Sequence, residues 1–369
     1  MTLRRISLYV HVPFCRRRCP YCTFYHVPLA GDNVRRAFVD AVLEELEGSL
    51  GEIAEPISIP TVFFGGGTPS VVGIAGLSKI LERIRPMLSR PNVETTVELN
   101  PEDVDEALLD GLVAIGVNRV SLGIQSMSER AQRVLGRCPP RVNRRALELV
   151  SSRFKNYSAD LLLGIPSSNA SELRSTLESI GTFAPPHLSV YCLEPGGDIT
   201  ESSRGFFERV DPDRCAEEYM AACATLESAG YTHYEISNFA VEGVECEHNL
   251  VYWRGAEYLG LGPGAHSLVG GRRFHNAPSL DEYLGRNREL PEAVRVDDPR
   301  SESEKDLEAL MLGLRTSDGI EIASIPRDAE VLDGFVRDGL ARRDRTRVRL
   351  TDHGYLLLNE IVHRLTGGA

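Results

Sequence analysis

Three of the chain's eight cysteines fall within eight residues, as CRRRCPYC from Cys15 through Cys19 to Cys22. Thiolates at this Cys-x3-Cys-x2-Cys spacing can wrap one soft metal centre from a single loop. Full ligation of a [4Fe–4S] cluster takes four cysteines. Three leave one iron open to a small molecule that binds through an amine and a carboxylate. The competing reading is a zinc knuckle completed by His11 or His26. Zinc knuckles usually pair two Cys-x2-Cys-like halves. No second half exists here, because Cys138, Cys192, Cys215, Cys223 and Cys246 are scattered. The expectation is an iron–sulfur cluster on Cys15, Cys19 and Cys22.

A second group is Gly65-Gly66-Gly67-Thr68-Pro69, directly after an apolar β-type run. Glycines let a backbone approach a ligand, and exposed N–H groups can hold a carboxylate or phosphate. A tight strand-to-helix turn is the blander account of the same residues.

These groups need elements to position them. Six segments read as strands: SLYVHV from Ser7, TVFFGG from Thr61, ETTVELN from Glu94, RVSLGI from Arg119, SADLLLGI from Ser158 and HLSVYCL from His187. The last five start 33, 25, 39 and 29 residues apart, the length of a strand–helix unit. The first interval is 54 residues, and its excess follows the cysteine loop. Helices fit the gaps. Asp32 is expected to cap one running through Val34, Phe38, Val42 and Leu46. Pro101-Glu102-Asp103 begins another, and Ser171 with Glu172 opens a third.

Six such units in series predict an α/β fold, a partial (β/α)6 barrel, with its site at the C-terminal strand ends. Gly65 to Thr68, Glu98 to Asn100, Gln125, and Gly164 to Pro166 all sit there. From about Tyr231 the sequence turns glycine- and aromatic-rich and leaves the repeat. The end, from about Ser301, reads helix, short strand, turn, strand, helix, like a winged-helix module. The division expected is 1–230 for the barrel, 231–300 for a linking segment and 301–369 for the winged-helix-like unit.

Composition narrows the class. Hydrophobic residues at 42% and charged residues at 25% fit an ordinary globular protein. Lys and Arg number 41 against 53 Asp and Glu, a net charge of −12 that argues against broad nucleic-acid binding. The basic stretch Arg342 to Arg349 reads as a solvated hairpin or a docking face for an acidic partner. No signal-peptide pattern precedes Cys15, and no run approaches 18 apolar residues. A cytoplasmic protein with reduced thiols is expected. Its association, including as a homodimer, is not fixed by the sequence.

Together the motifs resemble the radical S-adenosylmethionine (SAM) superfamily. YVHVPFCRRRCPYCTF, FFGGGTPS, VELNPE, VSLGIQSMSERAQRVLGR, DLLLGIP and SNFAVEGVECEHNLVYWRGAEYLGLGPGAHS are similar to one of its groups, which contains anaerobic coproporphyrinogen dehydrogenase and the HemW heme chaperones. The resemblance implies a [4Fe–4S] cluster and SAM, with Gly66, Gly67 and Thr68 holding the SAM amino group and carboxylate. It also puts Tyr9, Glu98, Gln125, Arg137 and Asp160 on SAM-contacting positions. Glu98 and Asp160 can accept from hydroxyls or an amine, and Arg137 can pair with a carboxylate. The blander roles are helix caps for Glu98 and Asp160 and a surface ion pair for Arg137. The chemistry implied is reductive cleavage of SAM to methionine and a 5′-deoxyadenosyl radical, and no catalytic side chain is assigned.

Two features separate the members of that group. The dehydrogenase has a further Cys two residues after the third cluster cysteine, where this chain has Phe24, and it has a longer N-terminal extension. His248-Asn249-Leu250-Val251-Tyr252-Trp253 resembles the HNxxYW signature of the chaperones. Imidazole is a good axial ligand for heme iron. Tyr252 and the sole tryptophan, Trp253, can pack on a porphyrin face, and Cys246 is close in sequence. The blander reading has His248 in a buried turn and Trp253 filling a core between units. His266, in GPGAHS, reads first as structural. The stretch Glu194 to Asp198 departs from the group's EPGT-like pattern. The function expected is heme trafficking to an acceptor apo-haemoprotein, with a radical SAM enzyme acting on a porphyrin as the alternative.

Overall fold

A computed structural model describes residues 3–195, 201–286, 295–325 and 329–367. Gly196, Gly197 and Asp198 of the departing loop lie outside the described residues. The six expected strands all form: β1 (Ser7–Val12), β2 (Thr61–Gly66), β3 (Glu94–Leu99), β4 (Arg119–Gln125), β5 (Asn156–Leu163) and β6 (His187–Cys192). They pair in parallel in sequence order. Val10, Val62, Val97, Val120, Leu122, Leu161 and Val190 on these strands are almost fully buried. They pack with Phe38, Val42 and Leu46 of the helix Asp32–Glu52, and with Leu77, Ile80, Leu109 and Leu147 of later helices, in one core. Parallel strands joined by crossover helices bury their outer face in this way.

The other face is different. Arg119, Ser121, Gly123 and Gln125 on β4, Asp160 and Leu162 on β5, and Ser189 and Tyr191 on β6 line a cavity. Strand side chains alternate. One set meets the helices and the other meets a polar interior.

Helix starts differ from expectation by a few residues. Asp32 is not the cap of its helix; Gly31 holds that position without a side-chain bond. Pro101–Asp103 forms only a 3-10 turn, and the helix proper starts at Glu106, capped by Asp105 accepting from the Leu108 N–H. Asn169, not Ser171, caps the helix Ala170–Gly181. Each true cap except Gly31 is an Asn or Asp whose oxygen takes a first-turn N–H.

Residues 231–300 do more than link. Strands Thr232–Glu235 and Asn238–Ala240 extend the sheet beyond β6, while Tyr258–Leu261 joins β1 in parallel and is followed outward by His266–Val269, Arg272–Asn276 and Arg295–Asp297. The sheet has twelve strands among the described residues. Between its two extensions runs the short helix Glu247–Trp253. The C-terminal unit has a three-stranded antiparallel sheet with helices Glu302–Leu314, Ala329–Arg337, Asp352–Leu356 and Leu358–Thr366. In its basic stretch, Arg343 pairs with Asp333, Arg349 with Asp344, and Arg347 donates to the Asp318 and Gly319 carbonyls. No described helix is long and apolar enough to cross a membrane.

Candidate functional site

Inside the strands lies a cavity of about 600 Å³. Its mouth carries Cys15, Cys19 and Cys22, and its wall carries Tyr9, Phe63, Gly66, Gly67, Thr68, Glu98, Gln125, Arg137 and Asp160. The twelve site residues named from sequence therefore all face one space, since His248 also lines it. Separations of up to 239 positions along the chain are closed by the sheet.

The cysteine loop is tied down by its own arginines. Arg16 pairs with Asp103 at 2.8 Å and Arg17 with Glu102 at 2.9 Å, so the basic residues between the thiols clamp the loop to the end of β3. A polar chain then links two thiols. Thr68 Oγ1 donates to Cys15 Sγ at 3.8 Å and accepts from Asn100 Nδ2 at 2.9 Å. Asn100 Oδ1 accepts from Arg137 Nη1 at 2.8 Å, and the same nitrogen donates to Cys19 Sγ at 3.9 Å. Arg137 is thus no surface ion pair. It also holds the Gly123 carbonyl at 2.8 Å, and its Nε is buried without a partner. Burial raises the Cys15 thiol and pushes Cys22 up to about 11. These thiols are protonated until a cation displaces the protons, which iron does. Three soft donors beside a fixed guanidinium suit an anionic iron–sulfur cluster. His11 does not line the cavity beside the thiols; its Nδ1 lies 3.0 Å from Tyr9 Oη and its Nε2 2.8 Å from the Tyr25 carbonyl.

The glycine segment works differently from the expectation. The Gly66 N–H donates to Glu98 Oε2 at 3.0 Å, and the Gly67 N–H to the Val12 carbonyl at 2.7 Å. Neither is exposed for a ligand carboxylate. What the glycines supply is missing bulk. A Cβ on Gly66 would lie 2.6 Å from the His11 ring, and one on Gly67 would lie 2.7 Å from the Phe14 carbonyl.

Neither acid is a helix cap. Asp160 accepts from Ser121 Oγ and Ser158 Oγ, both at 2.7 Å. Burial first, then repulsion from Asp160, raises the Glu98 carboxyl from 4.5 to about 8. The folded state therefore binds a proton that the unfolded state gives up between those values. The resulting stability is full below 4.5 and is lost as pH rises through 8. Glu98→Gln, which keeps an acceptor for Gly66, should melt nearly like the parent at pH 5 and about 5 °C higher at pH 8.5. Equal melting of the two at both pH values would show that Glu98 ionises normally.

Gln125 sits at a β-bulge in β4 with φ of 65°, which turns it toward the cavity. Residues missed from sequence also line the space. Arg119 is 1% exposed, and its Nε has no partner. The readable signal was the polar alternation R-S-G on β4 and S-D on β5, which is out of place in a strand buried on both faces.

The cavity floor is the helix Glu247–Trp253. Glu94 at the start of β3 accepts the N–H groups of Glu247 and His248, each at 2.9 Å. His248 is 1% exposed and stacks on Phe63 with centroids 5.1 Å apart. Its Nδ1 lies 2.8 Å from Thr61 Oγ1 and its Nε2 2.9 Å from Tyr252 Oη. Burial lowers the ring to about 3, so the imidazole is neutral. Both ring nitrogens are engaged, and ligation of iron would require exchange of one partner. His248, Asn249 and Tyr252 line the cavity, whereas Trp253 turns away to stack under Arg315 at 5.7 Å. Cys246 is fully buried with its thiol on Glu94. His266 is exposed near His275, away from the cavity lining. Phe24 stands 66% exposed at the cavity rim.

Comparison with known proteins agrees with this geometry. Residues 9–180 match the radical SAM superfamily. The chain is 35% identical over 339 residues to a heme chaperone HemW of Synechocystis sp., covering 87% of this chain and 80% of that one. It is 31% identical to a heme chaperone HemW of Bacillus subtilis, covering 98% and 99%. Coproporphyrinogen III oxidase (HemN) from Escherichia coli, a radical SAM enzyme, shares the fold with a TM-score of 0.83 at 22% identity, over 98% of this chain and 90% of that one.

Proposed function

Because the chain belongs to the HemW family within the radical SAM superfamily, we propose that it binds heme and passes it to an acceptor apo-haemoprotein. The observation that carries this reading is the shared cavity. The three-cysteine loop forms its mouth, and His248, Asn249 and Tyr252 of the HNLVYW segment form its floor. A [4Fe–4S] cluster and SAM are the cofactors of the superfamily, and the bound pair supplies one-electron chemistry. Within this reading Cys15, Cys19 and Cys22 hold the cluster. Arg137 and Thr68 orient two of the thiols. Tyr9, Glu98, Gln125 and Asp160 form the polar wall against SAM, and Gly66 and Gly67 leave it room.

His248 serves as the heme ligand in this proposal. Burial keeps the ring in the neutral form that binds iron. Exchange of the Tyr252 contact costs on the order of 1 kcal/mol, less than a metal–imidazole bond returns. Tyr252 then stands next to the porphyrin. The fold likeness to coproporphyrinogen III oxidase extends to architecture alone, and Phe24 stands where that enzyme group has another cysteine.

Heme titration of the reconstituted protein should show a saturable Soret band. His248→Ala should shift the band and weaken affinity by about tenfold or more. An unaltered band and affinity would make His248 purely a floor residue. In parallel, coproporphyrinogen III with SAM and a strong reductant should yield no protoporphyrinogen IX. Product over many turnovers would replace the chaperone reading with the enzymatic one.

A further inference from the structure

Outside the cavity, three donor side chains converge where the barrel meets the C-terminal unit. Cys223 lies on the helix Pro212–Ser228, His233 on the strand Thr232–Glu235, and Asp352 opens the helix Asp352–Leu356. A ligand atom from each lies within 4.8 Å of the other two. His233 Nδ1 is 2.9 Å from Asp352 Oδ1 and 4.0 Å from Cys223 Sγ. Cys223 is fully buried and His233 nearly so, while the Asp352 side chain is 25% exposed and gives the group a solvent side.

The histidine has polar neighbours at both nitrogens. Its Nε2 faces the Ile236 carbonyl at 3.3 Å and the Tyr219 hydroxyl at 3.4 Å, and that hydroxyl also reaches the same carbonyl at 2.7 Å. In the tautomer that carries the ring hydrogen on Nε2, facing these two oxygens, the Nδ1 lone pair faces Asp352 and Cys223 and is available to a metal ion. The ring cannot turn away. Phe239 stacks on it at 4.1 Å, and Tyr355 closes its edge at 5.1 Å. A histidine whose far nitrogen is fixed by a backbone carbonyl is the usual orientation of a metal ligand.

We propose that Cys223, His233 and Asp352 form a mononuclear site for zinc or a similar borderline divalent ion. Water from the open side fills the fourth position, and the ion clasps the C-terminal unit to the barrel. Tetrahedral zinc with nitrogen, oxygen and sulfur ligands at ordinary bond lengths sets ligand atoms about 3.3–3.6 Å apart. The 2.9 Å and 4.0 Å separations reach that range by shifts of about half an ångström. On binding, the Cys223 thiol proton and any proton between His233 and Asp352 leave to water, and no electron moves. The inference is independent of the heme reading.

The test uses the full chain with its iron–sulfur cluster reconstituted, dialysed against zinc and then against zinc-free buffer. About one zinc per chain should remain. Cobalt in its place should give a thiolate-to-metal charge-transfer band and tetrahedral visible bands. Cys223→Ser and Asp352→Asn should each lower zinc affinity by at least about tenfold with iron content unchanged. Zinc could also occupy an empty cysteine loop, so the Cys15, Cys19, Cys22→Ala triple variant is run alongside and should retain its zinc. Asp352→Asn keeps a side chain that can accept or donate, so it should fold. Its melting temperature should not respond to zinc, whereas the parent's should rise. No retained zinc and no cobalt–thiolate band in the triple variant would overturn the site. So would retention indifferent to Cys223→Ser; the His233–Asp352 contact is then an ordinary ion pair.

Discussion

Alanine at Cys15, Cys19 or Cys22 should leave a folded chain that takes up no [4Fe–4S] cluster. Iron–sulfur absorbance and iron content after anaerobic reconstitution should fall to background in each single variant. The fold should survive because the thiols do little for it. All three are only partly buried. The loop is held instead by the Arg16–Asp103 and Arg17–Glu102 pairs and by the Leu29 N–H donating to the Cys15 carbonyl at 2.8 Å. Thr68 and Arg137 reach the sulfur atoms and would lose only weak partners. The other candidate ligands lining the cavity are poorly placed to substitute: His26 Nδ1 is engaged by the Phe24 carbonyl at 2.8 Å, and a hydrogen bond with Cys215, then burial, raise the Cys192 thiol. Cys138 is buried with its thiol on Asn143, and Cys246 is fully buried on Glu94 at the opposite end of the strands. Alanine at Cys138 is the matched control and should keep full absorbance. A loop variant that retains its iron would show that another side chain completes the site.

The barrel was legible because its signals are local and repeated. Six apolar runs at strand length, five of them spaced by one strand–helix unit, leave few topologies. The cysteine loop was legible for the same reason: its spacing alone specifies a shared centre. The strands that extend the sheet were not. Asn238–Ala240 and Arg295–Asp297 have three residues each and no alternation long enough to read, and they form because the open sides of the six-stranded sheet need partners. Helix starts at Asp105 and Asn169 were missed in favour of neighbouring acidic and hydroxyl residues that fit the same cap preference.

The site was legible in membership and less so in role. Glu98, Asp160, Arg137 and Gln125 do share the cavity with the thiols. The sequence could not show that the Gly66 N–H is taken by Glu98, since that bond joins positions 32 residues apart. Nor could it separate the faces of HNLVYW. Helical spacing puts His248 and Tyr252 on one side and leaves Trp253 on another, where Arg315 covers it. Arg119 was passed over as an ordinary strand residue, yet it is a guanidinium closed inside the barrel. A charged residue alternating with serine in a two-faced strand was the signal available.

Gly66→Val should abolish SAM binding while the cluster still forms. Gly66 has φ of 106°, a backbone region that a β-branched residue avoids at a cost of about 1–3 kcal/mol. Its new Cβ would fall 2.6 Å from His11 Cε1 and Nδ1, well inside contact distance. The chain can relieve that overlap only by moving the His11 ring, which Tyr9 Oη and the Tyr25 carbonyl hold at 3.0 and 2.8 Å. Tyr9 would move with it, and Glu98 would lose the Gly66 N–H. Two proposed SAM contacts shift together, and a loss of 2 kcal/mol or more, about 30-fold or greater in affinity, is expected. Equilibrium dialysis with SAM on the reconstituted protein measures this directly. Gly67→Val should behave differently. Its Cβ would strike the backbone of Val12, Pro13 and Phe14, the run that leads into Cys15, so cluster and SAM should be lost together. Gly51→Ala, with nothing within 4 Å, should change neither. Unaltered SAM affinity in Gly66→Val would place SAM away from this wall of the cavity. Joint loss in both variants would instead mean that the segment acts by holding the cysteine loop.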